Sequence, residues 1–181
     1  NKEIQETNNF LLNNNISKNY ITIVPGAAWS QKQWSVENYN HLMTRLIDTF
    51  EATILILGST NDIICDQIIQ HNRIINLKDK TSLRMAMGIL KSSQHTIGSD
   101  TGLLHISEAL GTPVTMILGP TSLETGANIV LPESKIIENK SLWCRPCSQN
   151  GSRPCYRKEQ YCISEINSNK VFEHVNKSIA L

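Results

Sequence analysis

The run Ser99-Asp100-Thr101-Gly102-Leu103-Leu104-His105 places a carboxylate, a hydroxyl, a glycine and an imidazole within seven residues. It follows an apolar approach and opens a helix-like stretch, and a helix start offers backbone N–H groups to an anion. Downstream, Gly111-Thr112-Pro113-Val114 and Gly119-Pro120-Thr121 bracket a second apolar run. Turn and helix-start signals at the ends of buried strands are where an open α/β sheet presents a ligand site. The chemistry this implies is recognition of a phosphate-bearing ligand such as a nucleotide-sugar.

Further residues extend that chemistry, each with a plainer reading beside it. Lys32 follows a Gly-containing turn and precedes a helix, so its ammonium could meet a diphosphate; the plain reading is a solvated lysine. Thr101 and Gly102 can offer a hydroxyl and backbone donors to phosphate. Asp100 repels such an anion, so it either caps the following helix or meets a sugar hydroxyl. His105, one turn into the helix, either bonds a neighbouring loop or steadies Asp100 and touches phosphate. Asp62 follows the turn Gly58-Ser59-Thr60-Asn61, where it could accept hydrogen bonds from a ribose or balance charge at a helix start. Ser59 and Thr60 are alternative contacts there. Trp34 reads as a core or helix-start anchor rather than a base-stacking platform.

Cys144, Cys147, Cys155 and Cys162 cluster late in the chain, with Cys65 alone in an apparent helix. The Cys144-x-x-Cys147 spacing serves zinc sites and redox pairs, but the next intervals of seven and six residues match no tight ligand knuckle. Free packed thiols, a four-cysteine zinc site and disulfides all stand as readings. Arg145, Arg153, Arg157 and Lys158 form a basic stretch in the same segment, suited to solvent or to an anionic acceptor or membrane headgroup.

These groups need a scaffold, and the apolar pattern supplies one. Residues 1–19 read as a linker or short docking helix, with Phe10, Leu11, Leu12 and Ile16 as a weak stripe. Ile21–Val24 is a first strand ending at Pro25-Gly26, and Val36–Phe50 a helix with Tyr39, Leu42, Met43, Leu46 and Ile47 on one face. Ala52–Leu57 is a strand, Ile63–Gln70 a helix, Ile74–Leu77 a strand, and a Met-rich helix runs to Leu90. His95–Gly98, Thr101–Leu110, Val114–Leu118 and the edge strand Lys135–Glu138 continue the alternation, and a helix covers Ile166–Ile179. Repeated strand-to-helix crossovers require a mostly parallel, Rossmann-like sheet with helices on both faces, over 20–181.

Composition narrows the function. The chain has 181 residues, 40% hydrophobic and 18% charged, with a formal net charge of +1. That size suits one well-buried domain, and the charge gives no footprint for nucleic acid. No apolar run approaches the roughly 18 to 20 residues of a membrane span, and the start lacks a secretory core, so the expected address is the cytoplasm. The chain opens on Asn1 rather than Met, the expectation being a processed or excised piece. A Gly-x-x-x-x-Gly-Lys-Ser/Thr loop and a clear Gly-x-Gly-x-x-Gly fingerprint are both missing, which argues against ATPase and NAD dehydrogenase readings.

Taken together, Val24-Pro25-Gly26-Ala27, Lys32-x-Trp34, Leu57-Gly58-Ser59, Asp100-Thr101-Gly102-x-x-His105, Ala109-x-Gly111-Thr112-Pro113 and Gly119-Pro120-Thr121 resemble the C-terminal half of the lipopolysaccharide heptosyltransferases, two-domain GT-B glycosyltransferases of bacteria. The resemblance implies a domain that binds ADP-heptose, while the acceptor and a catalytic aspartate belong to an N-terminal half. It carries a catalytic, phosphate-stabilising role onto Lys32, donor contacts onto Asp100, Thr101, Gly102 and His105, and a wall of the sugar pocket onto Thr121. Ser59, Thr60 and Asp62 fall where an acidic or polar ribose contact is expected. It implies inverting transfer to a hydroxyl of the lipopolysaccharide core, with no required cofactor, magnesium or zinc as optional additions, and peripheral contact with the cytoplasmic face of the inner membrane. Against it stand a nucleotide-binding module without turnover, a UDP-sugar epimerase-like domain, and a cysteine-centred metal or scaffold protein.

Overall fold

A computed structural model of the protein describes residues 2–179. Six strands, β1 (Tyr20–Val24), β2 (Thr53–Ile56), β3 (Ile74–Asn76), β4 (Thr96–Ser99), β5 (Val114–Leu118) and β6 (Lys135–Glu138), form one sheet in the order β3-β2-β1-β4-β5-β6. Every pairing is parallel. The strands are joined by α2 (Val36–Thr49), α3 (Leu83–Ser92) and α4 (Gly102–Ala109), preceded by α1 (Lys2–Asn13) and followed by α5 (Tyr161–Ser164) and α6 (Ser168–Ile179).

The central strands are apolar on both faces because helices cover both. Ile21 and Ile23 point to one layer, with Trp34, Leu42, Leu46, Val171 and Val175 of the β1–α2 connection, α2 and α6. Tyr20 and Val24 point to the other, with Leu11, Ile89, Leu90 and Leu104 of α1, α3 and α4. This alternation is the period-two consequence of strand geometry, and each fully buried aliphatic side chain contributes about 1.5–3 kcal/mol. Helix starts are set locally: the hydroxyls of Ser35 and Ser82 accept from Asn38 N and Met85 N, both at 3.2 Å.

Two expectations need correction, and one short helix was not expected. The helix expected over Ile63–Gln70 is a 3-10 segment, Ile63–Gln67; the Asn76 amide donates to the Cys65 carbonyl at 2.7 Å, occupying the acceptor that a continuing helix would use. The last helix starts at Ser168 rather than Ile166, because the Ile166 carbonyl accepts the indole N–H of buried Trp34 at 2.9 Å. The short α5 had no periodic signal.

Candidate functional site

The strand order reverses between β1 and β4, whose helices α2 and α4 pack on opposite faces. The chain therefore leaves their paired C-terminal ends toward opposite faces, which makes a topological switch point, the place where such sheets take ligands. The two strands approach closely there: a Cβ on Gly98 would stand 2.3 Å from the Val24 carbonyl oxygen, so only glycine fits.

Asp100, one residue beyond β4, is 8% exposed and collects partners from three elements. Lys32 Nζ lies 3.2 Å from Oδ2, Thr121 Oγ1 donates to the same oxygen at 2.9 Å, and His105 Nε2 is 3.2 Å from Oδ1. Burial pushes the Asp100 carboxyl up, but the His105 hydrogen bond, the Lys32 charge and the Thr121 hydroxyl outweigh it and hold its pKa down at about 2. The carboxylate is thus ionised and fully engaged. Asp100 does not cap α4: Thr101 occupies the N-cap position, and no side chain caps the helix. Thr101 is half-buried and Gly102 exposed, with open space where a Cβ would stand.

Lys32 is not a solvated lysine. Its side chain is 12% exposed, and its stem packs under Gly151, where a Cβ would fall 2.5 Å from Lys32 Cγ. Gly151 also has φ +87°, a backbone conformation that glycine adopts without strain. The imidazole of His105, at 37% exposure, keeps an outward face beside Asp100.

A second polar group sits at the end of β2. Asp62 Oδ2 accepts from both Ser59 N and Ser59 Oγ at 2.7 Å, and the carboxylate lies over Gly26, whose Cβ would be 2.0 Å from Asp62 Oδ1. Asp62 makes no cap bond to the segment that follows. The Thr60 hydroxyl donates to Asp79 at 2.7 Å, a residue sequence reading missed. The β1–α2 connection joins the two groups, since Gly26 touches Asp62 and Lys32 touches Asp100.

Arg145 overturns its place in the basic stretch. Its side chain is 6% exposed and bonded to the carbonyls of Gly119, Asn139 and Thr121 and the Glu138 carboxylate. Arg153 and Lys158 are exposed, as are the rings of Trp143 and Tyr156, whose centroids are 6.4 Å apart. Cys144, Cys147, Cys155 and Cys162 are free thiols lining one small cavity of about 10 Å³. Burial, first of all, pushes the thiols of Cys147 and Cys162 up. Among the described residues no three His, Cys, Asp or Glu side chains gather as a metal site. No helix among them is long and apolar enough to cross a membrane.

The family model described as glycosyltransferase family 9 (heptosyltransferase) matches residues 2–156. A lipooligosaccharide heptosyltransferase 2 of Campylobacter jejuni is 24% identical over 166 residues, 88% of this chain and 51% of that protein. The corresponding Haemophilus ducreyi protein is 32% identical over 111 residues, 56% of this chain and 32% of its own length. The fold matches Escherichia coli ADP-heptose lps heptosyltransferase II with a TM-score of 0.77 at 22% identity, covering 99% of this chain and 51% of that one. A family 9 glycosyl transferase from Veillonella parvula gives 0.78 at 14% identity, covering 99% and 52%. The chain spans about half the length of the Campylobacter relative.

Proposed function

The chain belongs to glycosyltransferase family 9, the heptosyltransferases, and from that premise we propose that it is the ADP-heptose-binding half of a GT-B enzyme that transfers heptose to a lipopolysaccharide core hydroxyl. The observation that carries this reading is the Lys32–Asp100 pair at the switch point, 3.2 Å apart and nearly closed to solvent. An ammonium has three donors. With one on Asp100, two remain for diphosphate oxygens, and the start of α4 at Thr101 and Gly102 adds backbone donors.

In the proposed reaction an aspartate of the N-terminal half takes the acceptor proton, the acceptor oxygen attacks the anomeric carbon with inversion, and ADP departs. Lys32 is then the catalytic residue of this half, because negative charge grows on the diphosphate as the glycosidic bond breaks. Asp62 with Ser59 and Thr60 would receive the ribose, and Thr121 would back the sugar pocket. No metal is required in this mechanism. Magnesium would act only by screening the diphosphate, and the four thiols do not gather as a ligand set for zinc among the described residues. The working place is the cytoplasm, with Trp143, Tyr156, Arg153 and Lys158 touching anionic headgroups of the inner membrane.

Calorimetric titration with ADP, UDP, GDP and NAD, with and without magnesium, tests the donor class. Selective ADP binding at about 0.1 to 1 mM is expected. UDP preference would favour an epimerase-like domain. Lys32→Ala is expected to weaken ADP about tenfold or more while leaving adenosine unchanged. Equal losses for both ligands would remove Lys32 from the diphosphate. A module that binds without turnover fits the same geometry, and activity of the chain joined to its N-terminal half separates the two.

A further inference from the structure

We infer that Arg145 is a positioning residue for the donor site, acting through Thr121 and Asp100 on Lys32. The inference rests on the donor-binding reading above and names the group that holds the site in shape.

Arg145 reaches the site from the cysteine-bearing segment. Nε donates to the Gly119 carbonyl at 2.5 Å, Nη1 to the Asn139 carbonyl at 2.8 Å, and Nη2 to the Thr121 carbonyl and the Glu138 carboxylate, both at 2.9 Å. A longer 3.4 Å contact runs from Nη2 to the Leu118 carbonyl. The guanidinium therefore ties the last residue of β5, the turn after it and the end of β6 into one unit. Arginine's rigid fork of five donors can serve acceptors spread around a plane, and a lysine ammonium cannot.

The turn it grips is the one that aims Thr121. That residue is 1% exposed, its carbonyl accepts from Arg145, and its hydroxyl donates to Asp100 Oδ2. The same Oδ2 takes Lys32 Nζ. The adjacent Pro120 carbonyl accepts from Cys147 N at 3.1 Å, so the segment just after Arg145 is stitched to this turn as well. Arg145 thus fixes where Thr121 stands, Thr121 fixes the second donor on Asp100, and Asp100 fixes the ammonium that would meet the diphosphate. The Arg145 side chain is itself 6% exposed and reaches Asp100 only through Thr121.

The test uses the chain itself, with Arg145→Lys and, because loss of the clasp could unfold the protein, Thr121→Val and Thr121→Ser. The first readout needs no ligand: the Asp100 carboxyl is titrated by carbon-detected NMR. Arg145→Lys and Thr121→Val are both expected to raise its titration point toward the ordinary carboxylate range, while Thr121→Ser, which keeps the hydroxyl, restores it. The second readout is ADP against adenosine. Arg145→Lys and Thr121→Val are each expected to lose about tenfold in ADP affinity, and the double variant little more, since both act on one contact. Unchanged Asp100 titration in folded Arg145→Lys overturns the inference whatever ADP does. If Asp100 moves as expected but the wild-type chain ignores ADP, the positioning stands and the donor reading fails. A lower melting temperature with unmoved titration and affinity makes Arg145 a structural clasp alone.

Discussion

β4 carries a buried titratable residue at each end, and the two are treated in opposite ways. His95, just before the strand, is fully buried, with Nε2 2.8 Å from the Thr115 hydroxyl and Nδ1 3.2 Å from Ser178 of α6. Asp100, just after it, is nearly as buried but bonded to an ammonium, an imidazole and a hydroxyl. Burial pushes the His95 pKa down to about 3, helped by neighbouring His174, so the ring stays neutral. Asp100 keeps its charge against the same burial because its partners stabilise the ionised form. Burial alone does not mark a site. What separates the two ends is that Asp100 keeps its charge at the C-terminal edge of the sheet, whereas His95 is a neutral ring sealed under a helix at the opposite edge.

The largest consequence falls at the sealed end. The folded His95 pKa lies below its unfolded value of 6.5. The unfolded chain therefore binds more protons between those values, and stability rises with pH through that window. It is complete above about pH 6.5 and falls by about 4 kcal/mol on the way to pH 3. Urea unfolding across this range measures the loss. His95→Gln keeps a polar group without the titration and is expected to flatten the limb between pH 6.5 and 4. If the limb survives that substitution, the His95 end is not what acid attacks.

At the open end the effect is smaller and sits lower in pH. The Asp100 pKa is depressed from 3.8 to about 2, so its contribution is present above the unfolded value and disappears as pH falls through the folded one. Asp100→Asn, which keeps the shape and removes the charge, is expected to cost about 2 kcal/mol at pH 7. The gap from wild type should close toward pH 2. A gap that persists there would mean that the amide is misfitted rather than that the charge is missed, and the contrast between the two ends would lose its electrostatic basis.

How far each end could be read from sequence follows from what kind of signal it leaves. The sheet was legible because both faces of β1, β4 and β5 are buried, which writes continuous apolar runs such as Tyr20–Val24 and Val114–Leu118. The open end was legible in part: Asp100, Thr101 and Gly102 lie at a strand end before a helix, where turn chemistry is local. The pairing of Asp100 with Lys32 spans 68 positions, and spacing carries no trace of it. The same holds for Arg145, which sits among cysteines and a proline and looks like one cation of a basic stretch until Glu138 and four carbonyls surround it. In the sequence His95 is only the start of a weak strand, since its burial under α6 depends on a helix more than 70 residues away.

The smallest effect sharpens the comparison most, because a hydroxyl stands on each side of it. Thr121 holds a charge, whereas Ser178 meets a neutral ring at 3.2 Å and the Glu133 carbonyl at 3.4 Å near the end of α6. The low pKa of His95 comes from burial first and from His174 second, not from Ser178. Ser178→Ala is therefore expected to cost about 0.5–1 kcal/mol, the value of one neutral hydrogen bond. Both the titration of the ring, followed by proton NMR, and the affinity for ADP should stay where they are. Thr121→Val, equally conservative in volume, should move the Asp100 titration and the ADP affinity together. If Ser178→Ala raised the His95 titration point as Thr121→Val raises that of Asp100, the hydroxyls at the two ends would be doing the same job. Hydrogen bonding rather than retained charge would then be the common device of the strand.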